Sequence, residues 1–163
     1  MSGIIRFWLA PVLLLVGGVF LSAVVDSDDA VDLPFNFYDP AGSGVGASGY
    51  DVVAYFDRQE AVEGTPDMVV SFGGKNWFFS TLANRDKFDN DPRRYIPQYG
   101  GHCAYAAGNN YLAPGDPEAW TVKNGKLYLN YNKSVRNGWL ANWEGYITSG
   151  DKNWLSLATQ KYK

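Results

Sequence analysis

The chain resembles itself at a shift of about 51 residues, and this constrains its fold more than any other feature. Without a gap, Gly74-Lys75 falls on Gly125-Lys126, Trp77 on Tyr128, Phe88 on Trp139, Asp91 on Asn142 and Tyr95-Ile96 on Tyr146-Ile147. A chain built this way makes one supersecondary unit twice. In the first stretch, Gly64 to Asp67 marks a turn and Met68 to Phe72 is strand-like. Gly73-Gly74 then signals a hairpin into Trp77-Phe78-Phe79. After Ser80 the alternation stops: Leu82 and Phe88 sit among Asn84, Arg85, Asp86 and Lys87, as in a short surface helix capped by Ser80 or Thr81. Asp91-Pro92 ends or restarts that helix, since proline is tolerated in a first helical turn. In the second stretch, Trp120 to Lys123, the pair Asn124-Gly125 and Lys126 to Asn130 give a type I′ hairpin signal. Lys133 to Leu140 is the matching helix, with Val135 and Trp139 four apart on one face. The expected fold is α+β: small antiparallel hairpins with short helices, packed as two related ββα units over about residues 68–96 and 119–147.

The domain is expected over residues 50–150, opening with a strand from Tyr50 to Phe56 and leaving 151–163 as a C-terminal tail. Residues 26–49 carry Pro34, Pro40 and a glycine-serine run from Gly42 to Gly49 without apolar period, which reads as a linker. No Gly-Lys-Ser/Thr follows that run, so a phosphate cradle is disfavoured. Phe35, Phe37 and Tyr38 either sit at a membrane interface or cover the domain.

Residues 1–25 read as an N-terminal transmembrane anchor or uncleaved signal. From Phe7 to Val25 no residue is charged, a run of roughly 19 residues that nearly crosses a hydrocarbon core. The small-residue cleavage candidate Leu21-Ser22-Ala23 is poor at its first position, which favours retention. Arg6 precedes the run, and Asp26, Asp28, Asp29 and Asp32 follow it. The positive-inside rule then places the C-terminal domain outside the cytoplasm, periplasmic behind an inner membrane, with membrane lipid contacted through residues 4–25.

The formal charge of −3 argues against nucleic acid as a partner, because such modules present a basic face. A single cysteine removes any internal disulfide. Aromatic content of 16 % supports either a large core or a surface that faces another protein.

The stretch Tyr99-Gly100-Gly101-His102-Cys103-Ala104-Tyr105 holds the only histidine and the only cysteine. It falls after Tyr95-Ile96, where the first matched region ends, and so reads as a connector lining the junction between the units. His102 and Cys103 are the candidate metal ligands. Direct neighbours converge on one ion only from a loop, which Gly100-Gly101 would supply, with Asp51, Asp91, Asp116 or Glu118 completing the set. The plainer reading is a cysteine acting as a small hydrophobe beside a hydrogen-bonded histidine. Nucleophilic catalysis is disfavoured, because adjacent residues rarely align nucleophile and base. Most aromatics repeat with the units and read as core. Trp143 falls where the first unit has Pro92, and Trp154 lies beyond the repeat, so these two are the candidate partner surface.

The chain carries Gly49-Tyr50-Asp51-Val52-Val53-Ala54-Tyr55-Phe56, then the segments Trp77 to Phe88 and Asp91 to Tyr105, extended by Pro114 to Trp120 and Leu127 to Asn132. In these motifs the stretch from Gly49 to Ile147 resembles YHS-domain proteins, especially their exported group. Many members carry a Cys-Ser-x-x-Cys pair for a soft metal such as copper or zinc. At those positions this chain has Ser80 and Asn84, which are poor soft-metal ligands and read instead as helix cap and local hydrogen-bond partner. The uncharged N-terminal run, the aromatic excess and the missing thiolate pair together point to a membrane-anchored, non-catalytic interaction domain, an accessory subunit of a larger membrane complex. The alternative is transition-metal or cofactor binding centred on His102 and Cys103.

Overall fold

The computed structural model describes residues 36–39 and 41–160, and the structural statements below concern these alone. The expected anchor at 1–25 and the side chain of Phe35 lie outside them. Among the described residues no helix is long and apolar enough to cross a membrane.

The architecture is α+β, with two separate two-stranded antiparallel sheets. Strands β1 (Thr65–Phe72) and β2 (Lys75–Phe79) form the first, and β3 (Asp116–Lys123) and β4 (Lys126–Asn130) the second. Short helices surround them: α1 (Ala54–Asp57), α2 (Leu82–Asn90), α3 (Pro92–Tyr95), α4 (Ala104–Gly108) and α5 (Lys133–Leu140). The longest, α6, runs Trp143–Leu157.

Each hairpin closes on two residues with positive φ, Gly73 and Gly74 in one and Asn124 and Gly125 in the other. That is the backbone twist a tight hairpin needs. Each first strand also bulges at the same place, between Thr65 and Val69 and between Asp116 and Trp120. The helix starts match as well. Thr81 Oγ1 accepts the Asn84 N–H at 3.1 Å, and Asn132 Oδ1 accepts the Val135 N–H at 2.9 Å. Thr81, not Ser80, is therefore the cap.

The stretch from Tyr50 to Phe56 is not a strand. Asp51 N–H bonds to the Val62 carbonyl, but Asp51 Oδ1 then accepts the N–H groups of Val53 and Ala54 at 3.0 and 3.2 Å. A side chain that captures backbone donors two and three residues on turns the chain, and the strand-favouring Val52 and Val53 form the turn that leads into α1 instead.

Tyr99–Tyr105 is not a free connector either. The 3-10 turn Gln98–Gly101 has positive φ at Tyr99, Gly100 and Gly101, as the 3-10 turn Gly46–Gly49 has at Ala47, Ser48 and Gly49. His102 N–H bonds to Tyr99 O and Cys103 N–H to Ala113 O. Tyr50 N–H likewise bonds to Ala47 O, and Asp51 N–H to Val62 O. The two turns are thus one structure used twice, at a spacing of 52 residues. The segment from Tyr55 to Val62 is one residue longer than that from Ala107 to Ala113, which restores the spacing of 51 in the strands.

Two apolar clusters form the core. The first holds Phe37, Val52, Val53, Tyr55, Trp77, Phe79, Phe88, Tyr95, Leu127 and Leu129. The second holds Tyr99, Ala104, Ala107, Tyr128, Trp139 and Leu157. Side chains alternate across a strand, so β4 sends Leu127 and Leu129 to one cluster and Tyr128 to the other.

The linker and tail take part in this packing. Phe37 is buried with its ring edge-on to Trp77 at 5.1 Å, and Tyr38 N–H bonds to Gly100 O. Any side chain at Gly100, itself at φ +60°, would collide with the Asn36 carbonyl. Asp39 accepts from Ser43, Gly44 and the Lys75 ammonium, the last at 2.6 Å. Residues 151–157 belong to α6, and Leu157 is in the second cluster.

Candidate functional site

The repeated turn places two different side chains in one setting. In the first turn this is Asp51, fully buried. Besides the two N–H bonds at Oδ1, its Oδ2 accepts Ser80 N–H at 2.8 Å, Ser80 Oγ–H at 2.6 Å and Asn84 Nδ2–H at 2.8 Å. Five donors on one carboxylate tie the turn to the end of β2 and to α2. Ser80 and Asn84, expected as cap and local partner, therefore serve Asp51.

In the second turn the same place holds Cys103. The Tyr131 N–H donates to Cys103 Sγ at 3.2 Å, as the Ser80 N–H does to Asp51. The S–H lies 3.8 Å from Asn130 Oδ1, which also accepts the Tyr105 N–H at 3.1 Å. Burial pushes the thiol pKa up, against the pull of the Ala106, Tyr131 and Tyr105 N–H groups. Cys103 is thus a neutral thiol, 1 % exposed, and not an activated nucleophile.

The side-chain donors to Asp51 have no counterparts on Cys103, since Tyr131 and Val135 stand where Ser80 and Asn84 stand in the first unit. A cavity of about 270 Å³ opens there, lined by Cys103, Tyr105, Tyr111, Ala113, Tyr131 and Val135. Tyr111 and Tyr131 are about half exposed at its edge. The position of these residues was readable by carrying the shift of 51 from Ser80 and Asn84 onto Tyr131 and Val135. The role of Asp51 and the buried Asn130 had no comparable sequence signal.

His102 is equally buried but meets other neighbours. Its ring stands edge-on to Tyr38 at 5.4 Å and lies 5.9 Å from Trp154. Loss of solvent lowers its pKa to about 4, while the carbonyls of Ala113 and Asn36 oppose the fall. The imidazole is therefore neutral near pH 7. His102 and Cys103 are adjacent in the chain, but the ring packs against Tyr38 and Trp154 whereas the thiol meets Asn130 and Tyr131. Among the described residues no group of three or more His, Cys, Asp or Glu side chains is placed to hold a metal.

The two tryptophans are half-buried against the second cluster. Trp154 packs on Tyr99 at 5.7 Å as well as on His102, and Trp143 lies 5.3 Å beneath the Lys123 ammonium. Comparison with family models, curated proteins and solved structures found no match to this chain.

Proposed function

We propose that the chain is a YHS-like domain of two duplicated ββα units, held outside the cytoplasm by a segment at 4–25 and serving as a non-catalytic accessory subunit of a membrane protein complex. One observation carries the non-catalytic part. The residues at the repeated turn that could do chemistry, Asp51 and Cys103, each accept a backbone N–H of the strand-to-helix junction, and Asp51 also accepts those of Val53 and Ala54. They hold the fold together, and His102 beside them is held neutral. The duplication is supported by the spacing of strands, bulges and caps. The membrane attachment is supported by the uncharged run from Phe7 to Val25. For the partner surface, the exposed edges of Trp143 and Trp154 remain the proposed contact.

The test is purification of the full chain in mild detergent. A stoichiometric complex with a second membrane protein, and an intact mass retaining residues 1–25, are expected; a lone monomer would overturn the subunit reading. Elemental analysis of the same material tests the metal alternative. A stoichiometric transition metal lost on His102→Ala with Cys103→Ala would overturn the purely structural role of the turn. For the duplication, Asn124→Gly gives the second hairpin the pair used by the first, and a stability change within about 1 kcal/mol is expected. Loss of the folded state would count against equivalent units.

A further inference from the structure

The first unit fills the space over its turn with its own side chains, and the second leaves it open. In the first, the Ser80 hydroxyl and the Asn84 amide close onto Asp51. In the second, Tyr131 and Val135 offer Cys103 neither group, and the space of about 270 Å³ persists beside the thiol. An empty apolar cavity of about 150 Å³ takes up a benzene-sized guest, so this one has room for a two-ring molecule.

The chemistry of the lining narrows the guest. Among the described residues no charged side chain lines the cavity, and Ala113, Val135 and the Cys103 thiol are part of its lining. Moving an ion into such a place is costly, so a charged guest is rejected. Tyr105, Tyr111 and Tyr131 present ring faces and edges, which pair favourably with another aromatic ring. The Tyr105 ring is held in place by Tyr146, 4.9 Å away. Tyr111 and Tyr131 are 49 % and 53 % exposed, which puts them at the mouth with hydroxyl groups able to bond a polar substituent. We propose that this cavity is a binding site for a small neutral aromatic molecule of one or two rings, its polar substituent directed to the mouth. The site goes beyond the accessory-subunit reading and does not depend on it.

The test uses the full chain in mild detergent, with 2-naphthol as probe and backbone amide chemical shifts as readout. Saturable shifts confined to the neighbourhood of Cys103, Ala113, Tyr131 and Val135 are expected. 2-Naphthoate, the same size but charged, should bind at least tenfold more weakly. Val135→Phe and, separately, Ala113→Leu fill the cavity and should each abolish saturation while distant amide signals stay in place. Shifts that are diffuse or never saturate, that persist in both filled variants, or that 2-naphthoate produces equally well, would overturn the proposal. Should one filled variant lose its folded spectrum, the other variant and the naphthoate comparison still decide.

Discussion

At the scale of single residues, the protein solves one junction in two ways. Asp51 satisfies five donors, so Asp51→Ala should leave buried N–H and O–H groups unpaired and cost about 3–5 kcal/mol in urea unfolding. The reciprocal change, Cys103→Asp, brings a carboxylate to a place where Tyr131 and Val135 replace its helpers. A loss of similar size is expected, whereas Cys103→Ser should cost less. His102 gives a pH prediction. Its folded pKa of about 4 lies below the unfolded value, so the unfolded chain binds the extra proton first as pH falls. The contribution is intact above about pH 6.5 and is lost between there and about pH 4, roughly 3 kcal/mol in all. Urea midpoints at pH 7 and 4.5 should therefore differ less in His102→Gln than in the parent chain. An equal difference would show that His102 is not the group responsible.

At the scale of elements, the hairpins and helices were legible because their signals are local. Alternating apolar residues, a two-residue turn and a cap three residues before an N–H lie within short windows. Thr81→Ala and Asn132→Ala remove equivalent caps, and each should cost about 1 kcal/mol, measured as a shift in thermal midpoint. What escaped was not local. The run from Tyr50 to Phe56 has strand composition, but the Asp51 side chain decides its path by capturing backbone donors. In the sequence the second turn at Gln98–Gly101 reads as a connector, because one additional residue after Tyr55 breaks the spacing there. The candidate site shows the same limit. His102 and Cys103 stood out by rarity, but the cavity beside Cys103 arises from residues far apart in sequence, visible only once the hairpin brings Tyr131 onto the thiol.

For the whole molecule, β4 matters most because it packs on both clusters. Leu127→Ala removes a fully buried side chain from the first cluster and should cost about 2–5 kcal/mol, while Val69→Ala, at a half-exposed site, should change little. A strand that feeds both clusters also couples them, so denaturation followed by far-UV circular dichroism and by tryptophan emission should trace one transition. Helix α6 completes the second cluster. Tyr99 O–H donates to Asp151 at 2.9 Å, and Asn153 Nδ2–H to the Ala107 carbonyl at the same distance. Cutting the chain after Gly150 should therefore abolish cooperative unfolding, an outcome a dispensable tail would not produce.

The strap at Asn36–Tyr38 has a mechanical meaning. Asn36 Nδ2–H groups donate to the carbonyls of Leu157, the last residue of α6, and of Gln160 just past it, and Tyr38 N–H donates to Gly100 O. Tension entering the chain ahead of Asn36 meets this clasp before it reaches either hairpin. The load is shared with the far end of α6, so a pulling experiment should first peel the strap and leave both sheets standing.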